Sequence, residues 1–228
     1  MNNRKSHSRS IVTDENADAR IGAFMVMSAI LTVLLILIWY IAPPPNVGIK
    51  EGQLAPDIIG ESHTGTGGWE DFRLYDYINH SWVEGESGTF ILLQFMDTDC
   101  PHCWSDAFEM SSLYEEFGDE VAFITVSVAM LSSSHSRAET VAFQTLSDFE
   151  GCNKDNSNCQ DRPGGEHVWP YVDDLDLRAF NQYNLPGVPF HLILSPDGIV
   201  VWNSAEHPQG DPLHKPQQAL YAVLGGSN

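Results

Sequence analysis

The stretch from Phe90 to Cys103 constrains the fold more than any other part of the chain. Phe90-Ile91-Leu92-Leu93-Gln94-Phe95-Met96 is a nearly continuous apolar run, the pattern of a strand buried on both faces of a sheet. After Asp97-Thr98-Asp99, the sequence Cys100-Pro101-His102-Cys103 opens a segment with helical spacing. That helix is expected from about Cys100 to Phe117, with apolar positions at Phe108, Leu113, Tyr114 and Phe117. A thiol at a helix N-terminus faces unpaired backbone N–H groups and the positive end of the helix dipole, and both favour thiolate over thiol. Cys100 is therefore expected to be the exposed, acidic thiol and Cys103 the buried one. Cys103, one turn further in, can attack a mixed disulfide made by Cys100. The pattern is that of a two-electron thiol–disulfide couple.

Two blander uses of the motif compete. Structural zinc needs two more ligands at suitable spacing. Cys152 and Cys159 have six residues between them, and no second C-x-x-C or H-x-x-x-H exists. An inert staple across a strand-to-helix turn closes too small a loop to stabilise much. Redox chemistry is the better reading.

Upstream, Ile21 to Ala42 is an uncharged apolar run. At about 1.5 Å per residue it is long enough for a hydrocarbon core of about 30 Å. Trp39 and Tyr40 lie near its end, where an aromatic belt would sit, and Arg4, Lys5, Arg9 and Arg20 precede it. Lys50 is the first positive residue after it, so the charge bias puts the N-terminus in the cytoplasm and the remainder outside. A cleaved signal peptide would carry a shorter apolar region and a small-residue cleavage site, and none precedes Pro43-Pro44-Pro45. The reading is a polar cytoplasmic tail over 1–20, expected to lack structure, an uncleaved anchor over 21–42 and a stiff spacer over 43–49. One extracytoplasmic domain of ordinary size then covers 50–228.

The chain carries 31 Asp and Glu against 11 Lys and Arg, a net charge of −20, with all of the acidic excess after Pro43. Such a surface repels phosphates, which argues against nucleic acid and anionic headgroups as ligands. All four cysteines fall in the outer part, where disulfides persist.

Along that part, Phe72-Arg73-Leu74-Tyr75 alternates like a short strand, and Val121 to Val128 reads as a second buried strand. A helix is expected over about Arg137 to Phe149. A polar insertion at about 151–167 holds Cys152 and Cys159. Strand signals resume at Val168 to Val172, followed by a short helix across Leu175 to Tyr183. Phe190 to Leu194 and Ile199 to Val201-Trp202 flank the turn Ser195-Pro196-Asp197-Gly198 and read as a hairpin; a last helix covers about Pro216 to Leu224. The order β-α-β-α-β-α-β-β-α is that of an α/β sandwich with an antiparallel hairpin at its end.

This layout resembles the thioredoxin fold: a central mixed sheet flanked by helices, here preceded by one transmembrane helix. It is most similar to the membrane-anchored thioredoxin-like thiol–disulfide oxidoreductases of the redoxin and cytochrome c-maturation kind. The residues that carry the resemblance are Gly52-x-x-Ala55-Pro56-Asp57, the C-x-x-C after a buried strand, Gly187-Val188-Pro189, and the hairpin segment Leu192 to Val200. The resemblance implies a nucleophilic Cys100 and a resolving Cys103, with Pro101 and His102 tuning the thiolate. It also implies a cis Val188–Pro189 bond facing the cysteines and docking an extended client segment. Protein thiols and disulfides would be the substrates, with a membrane or extracytoplasmic redox partner, and no bound cofactor is needed. Pro101-His102 and Val188 match the periplasmic disulfide oxidases, whereas the entry motif and hairpin match the anchored reductases, so the direction of electron flow stays open. Two departures stand out. The family often has a buried carboxylate six residues before the first cysteine, and this chain has Gln94; Asp97 and Asp99 flank the motif instead, either replacing that proton acceptor or simply facing solvent.

Cys152 and Cys159 are expected to form a local disulfide that stiffens the insertion, the sharper alternative being a second pair exchanging with Cys100. His191, two residues past Pro189, points either toward the site or into packing. Two rival functions remain. A peroxidase-like redoxin would place a Thr-x-x-Cys and an arginine at the site, but Thr98 is only two residues before Cys100. A metallochaperone would hold a soft metal through Cys100, Cys103 and a histidine such as His191.

Overall fold

The computed structural model of the chain describes residues 15–40, 45–131 and 135–225, the side chains of 15–21, 38–40 and 155 excepted. It divides into two units, Met1–Pro44 and Pro45–Asn228. In the first, α1 (Glu15–Tyr40) is a single helix of 26 residues. It begins inside the stretch 1–20 that was expected to be unstructured. Among the described residues no helix is long and apolar enough to cross a membrane. The anchor expected over 21–42 and the spacer over 43–49 both include residues outside those described, as does most of the tail.

The second unit is built on one mixed sheet. Its strands are β1 (Ile59–His63), β2 (Glu70–Arg73), β3 (Phe90–Met96), β4 (Val121–Val128), β5 (Tyr171–Asp174), β6 (Phe190–Leu194) and β7 (Val200–Asn203). Their order is β2-β1-β5-β4-β3-β6-β7. β3 and β4, and β4 and β5, run parallel; β6 and β7 close one side antiparallel, and β1 with β2 closes the other. The helices are α2 (Pro101–Phe117), α3 (Arg137–Thr145), α4 (Arg178–Tyr183) and α5 (Pro216–Gly225). The fold is thioredoxin-like, with the β1–β2 pair added at the edge beyond β5.

β3 is buried at every position, as its apolar run demands. Side chains alternate between the faces of a strand. Phe90, Leu92 and Met96 therefore join the apolar cluster under α2, while Ile91, Leu93 and Phe95 join the opposite one. Gln94, between Leu92 and Met96 in the alternation, falls on the α2 face. β6 divides the same way, with Ile193 under α2 and Phe190, Leu192 and Leu194 on the far side, so His191 shares Gln94's face.

Some boundaries differ from the sequence expectation. Leu74 and Tyr75 belong to a 3-10 turn, Leu74–Tyr77, because Asp57 draws the Tyr75 amide out of the strand (3.0 Å). α3 stops at Thr145, where Leu146 turns left-handed (φ 53). β5 starts only at Tyr171, since Pro170 has no N–H for a ladder, and α4 starts at Arg178. On α2 the buried stripe is Cys103, Ala107, Met110, Leu113 and Phe117, which leaves Phe108 on the outer face at 60 % exposure.

The polar insertion is more firmly attached than its composition suggests. Cys152 and Cys159 are disulfide-bonded, fully buried, and part of the α2-face cluster. Arg162 is buried and donates to the carbonyls of Phe143 (2.6 Å), Pro163 (2.9 Å) and Gly165 (2.7 Å). Gly164 (φ 90) lies so close to α2 that a Cβ there would stand 2.5 Å from Ser111 Oγ. The loop is thus clamped to α2 and α3 by buried hydrogen bonds, each worth about 1 kcal/mol or more.

Candidate active site

α2 begins at the end of β3 for local reasons. Cys100 is its N-cap, in extended conformation (φ −82, ψ 115), and Pro101 follows at the first helical position, where a missing N–H costs nothing. The Cys100 amide donates to the Asp97 carbonyl (3.0 Å), closing the turn. Cys100 Sγ then accepts the Cys103 amide N–H at 3.3 Å, the role an Asp or Ser oxygen plays at other N-caps.

Both thiols are free. Hydrogen bonding from the Cys103 thiol lowers the Cys100 pKa first; burial opposes it; the Cys103 and His102 amides and the His102 imidazole add to the lowering, and the value falls to about 6. Cys103 moves the other way. Burial pushes its thiol well above the ordinary value, and the neighbouring Cys100 sulfur pushes it further. One corner of the fold thus holds a thiolate and, one turn away, a thiol that resists ionisation.

Cys100 is not the exposed residue expected at a helix tip. It is 3 % exposed, against 1 % for Cys103. The cause is the loop before β6: as a thiol, Cys100 Sγ donates to the Val188 carbonyl (3.5 Å), and Val188 is half-buried against the same cluster. The Val188–Pro189 peptide is cis. Pro101 and His102 remain exposed at the rim.

The two flanking acids are structural. Asp97 is fully buried; its carboxylate accepts the amides of Asp99 (2.8 Å), Met130 (2.8 Å) and Leu131 (2.8 Å) and contacts His135. Burial pushes its carboxyl up, but His135 and the amides override that and hold it below the ordinary range. Asp99 accepts the Lys154 amide (3.0 Å), and the Asn153 amide donates to the Thr98 carbonyl (3.0 Å), so the disulfide loop is tied to the residues just before Cys100. Neither acid faces solvent. Thr98 points away from the cysteines, donating to the buried Glu139 carboxyl, whose pKa burial raises. Among the described residues no arginine bonds to Cys100 or Thr98, which leaves the peroxidase pattern incomplete.

Beneath the motif lies a polar group that the sequence did not announce. Asp106 Oδ2 accepts from Gln94 Nε2 (2.7 Å) and lies 3.0 Å from His191 Nε2. Gln94 Oε1 accepts from Thr125 Oγ1 (3.0 Å), which also accepts from Trp169 Nε1 (2.9 Å). His191 is therefore held by Asp106, not by the cysteines. Among the described residues no group of three or more His, Cys, Asp or Glu side chains is arranged to hold a metal ion. Asp106 had one available signal, its position three residues after Cys103 on the same helix, but an acid on a helix ordinarily faces water.

No family model matches the chain. The thioredoxin-like protein YneN of Bacillus subtilis (strain 168) is 28% identical over 116 residues, which is 48% of this chain and 61% of that protein. The matched part thus spans less than two thirds of that relative. A protein described as the thiol:disulfide interchange protein DsbE from Chlorobium tepidum superposes with a TM-score of 0.51 at 16% identity, covering 77% of this chain and 99% of that one. Thioredoxin peroxidase I of Plasmodium yoelii superposes equally well, TM-score 0.51 at 12% identity, over 78% of this chain and 88% of its own. At these identities the two structures bear on the fold alone.

Proposed function

We propose that this chain is a membrane-anchored thiol–disulfide oxidoreductase whose redox domain lies outside the cytoplasm and exchanges disulfides with protein substrates. The single observation that carries the reading is the opposite displacement of two adjacent thiols, Cys100 down to about 6 and Cys103 well up. A thiolate at Cys100 attacks a client disulfide; the client's far sulfur leaves with the electron pair, and Cys100 is joined to the near one. Cys103 then loses its proton and attacks Cys100 Sγ. The Cys100–Cys103 bond forms, the client thiolate departs, the enzyme dithiol is oxidised and the client disulfide is reduced. Run backwards, the same steps oxidise a client dithiol.

His102 and the helix N-terminus hold the thiolate, and Val188 and Pro189 dock the client backbone. The similarity to YneN supports a thioredoxin-like role. The anchor rests on the apolar run 21–42 and the basic residues before it. The peroxidase alternative draws on shared fold only, and the metallochaperone alternative loses His191 to Asp106.

The test is exchange between the full-length chain in detergent and a disulfide-bonded peptide, followed as free thiol. The reading requires turnover that Cys100→Ser abolishes. Wild-type exchange no faster than Cys100→Ser would refute it.

A further inference from the structure

A buried thiol that resists ionisation has to lose its proton before it can resolve a mixed disulfide. Gln94 has no proton to exchange, both oxygens of the Asp97 carboxylate are occupied by backbone amides, and Asp99, which precedes the helix, holds the Lys154 amide with Oδ1. Asp106 is different. It sits on α2 three residues beyond Cys103, so the two side chains share one face of the helix one turn apart. Both of its neighbours, Gln94 and His191, bond to the same oxygen, Oδ2. Among the described residues Oδ1 takes no hydrogen bond.

The alignment is built into the sheet. Tyr171, Thr125, Gln94 and His191 occupy directly paired positions on β5, β4, β3 and β6. All four lie on the α2 face, and the row runs beneath the first turns of α2. A carboxylate lowered onto this row from the helix is met by an amide donor and an imidazole.

We propose that Asp106, positioned by Gln94 and backed by His191, is the group that takes the Cys103 proton when the mixed disulfide resolves, and returns it when the Cys100–Cys103 disulfide opens. The proposal rests on the oxidoreductase reading above. In the resolving step the Cys103 S–H bond breaks, its proton passes to Asp106 directly or through one water, and the sulfur lone pair forms the bond to Cys100 Sγ. The client thiolate leaves with the electron pair of the broken disulfide. No further oxidant or reductant enters.

The surroundings suit a proton held in this corner. Burial works against an imidazolium at His191, but the Asp106 charge and hydrogen bond outweigh it and raise its pKa, with Glu109 adding to the effect. The other ionisable groups that face the pair are Cys100, Glu109 on α2 and Tyr171 on β5. Burial pushes the Tyr171 phenol well up, beyond use as a neutral-pH acceptor.

The experiment separates resolution from attack. Full-length protein is reacted with an aromatic disulfide to load Cys100, and release of the second aromatic thiol reports resolution by Cys103. Alkylation of Cys100 in the reduced protein serves as the control. Asp106→Asn is expected to slow release by about 100-fold or more near neutral pH. Release should then rise with pH in proportion to hydroxide where wild type levels off, while Cys100 alkylation stays within about twofold; Asp106→Glu should restore the plateau. If Asp106→Asn does not fold, His191→Gln reads the same quantity by moving the acid limb of the release profile. Release by Asp106→Asn at the wild-type rate and pH profile would overturn the proposal. Failure of wild-type protein to load or release at all would instead overturn the oxidoreductase reading.

Discussion

The chain holds two cysteine pairs in the same apolar cluster, and they are in opposite states. Cys100 and Cys103 begin a helix of 17 residues, with amide N–H groups aimed at the first sulfur. Cys152 opens a tight turn whose Asn153 and Lys154 are left-handed (φ 56 and 61), and Cys159 opens a 3-10 turn of only three residues. All four residues are buried. Burial therefore does not distinguish them. What does is whether the fold stabilises a negative charge on sulfur: Cys100 Sγ takes the Cys103 amide at the start of a long helix, whereas among the described residues no amide is recorded on the sulfur of Cys152 or Cys159.

The largest expected effect breaks this contrast directly. Cys103→Ser should accumulate mixed disulfides with clients under turnover conditions, and Cys100→Ser none, read on non-reducing gels. Equal trapping by both variants would place the nucleophile elsewhere. Next comes pH. Because the Cys100 pKa is depressed to about 6, its thiolate fraction is nearly complete near neutral pH and falls about tenfold per unit below that value, whereas an unperturbed thiol would still be mostly protonated. Alkylation of the reduced chain should follow that curve and modify Cys100 first; a half-point near 9 would contradict it.

Cys152→Ser combined with Cys159→Ser should cost about 2–3 kcal/mol in denaturant unfolding, the chain-entropy value for so short a loop, and leave peptide exchange within about twofold. A large loss of rate in a folded double variant would make this pair an electron relay. The smallest effect concerns the tie between the two regions. Asp99→Ala removes the acceptor of the Lys154 amide and should cost about 1 kcal/mol. It should also loosen hydrogen-exchange protection at Lys154 more than at Cys103.

The strand, the helix and the terminal hairpin were legible because their signals are local: an all-apolar run, a Pro at the first helical position, a Ser-Pro-Asp-Gly turn. Cys100 and Cys103, and the cis bond at Pro189, followed from the motif and the resemblance it carries. What escaped was whatever depends on register between distant strands. Gln94 looked like a lost proton acceptor until β6 placed His191 beside it and α2 lowered Asp106 onto both. Asp97 and Asp99 read either as substitute proton acceptors or as solvated acids, yet they hold the amides of two other loops. The expected exposure of Cys100 failed for the same reason: helix geometry is written near Cys100, but the carbonyl covering it comes from Val188.

The most direct test is to equilibrate the full-length chain with glutathione buffers of graded ratio and to measure the oxidation state of each cysteine by differential alkylation and mass spectrometry. The account predicts that Cys100 and Cys103 oxidise and reduce together along one two-electron curve, while Cys152–Cys159 stays oxidised across the whole series. A Cys152–Cys159 bond that opens along the same curve as the Cys100–Cys103 pair would contradict it.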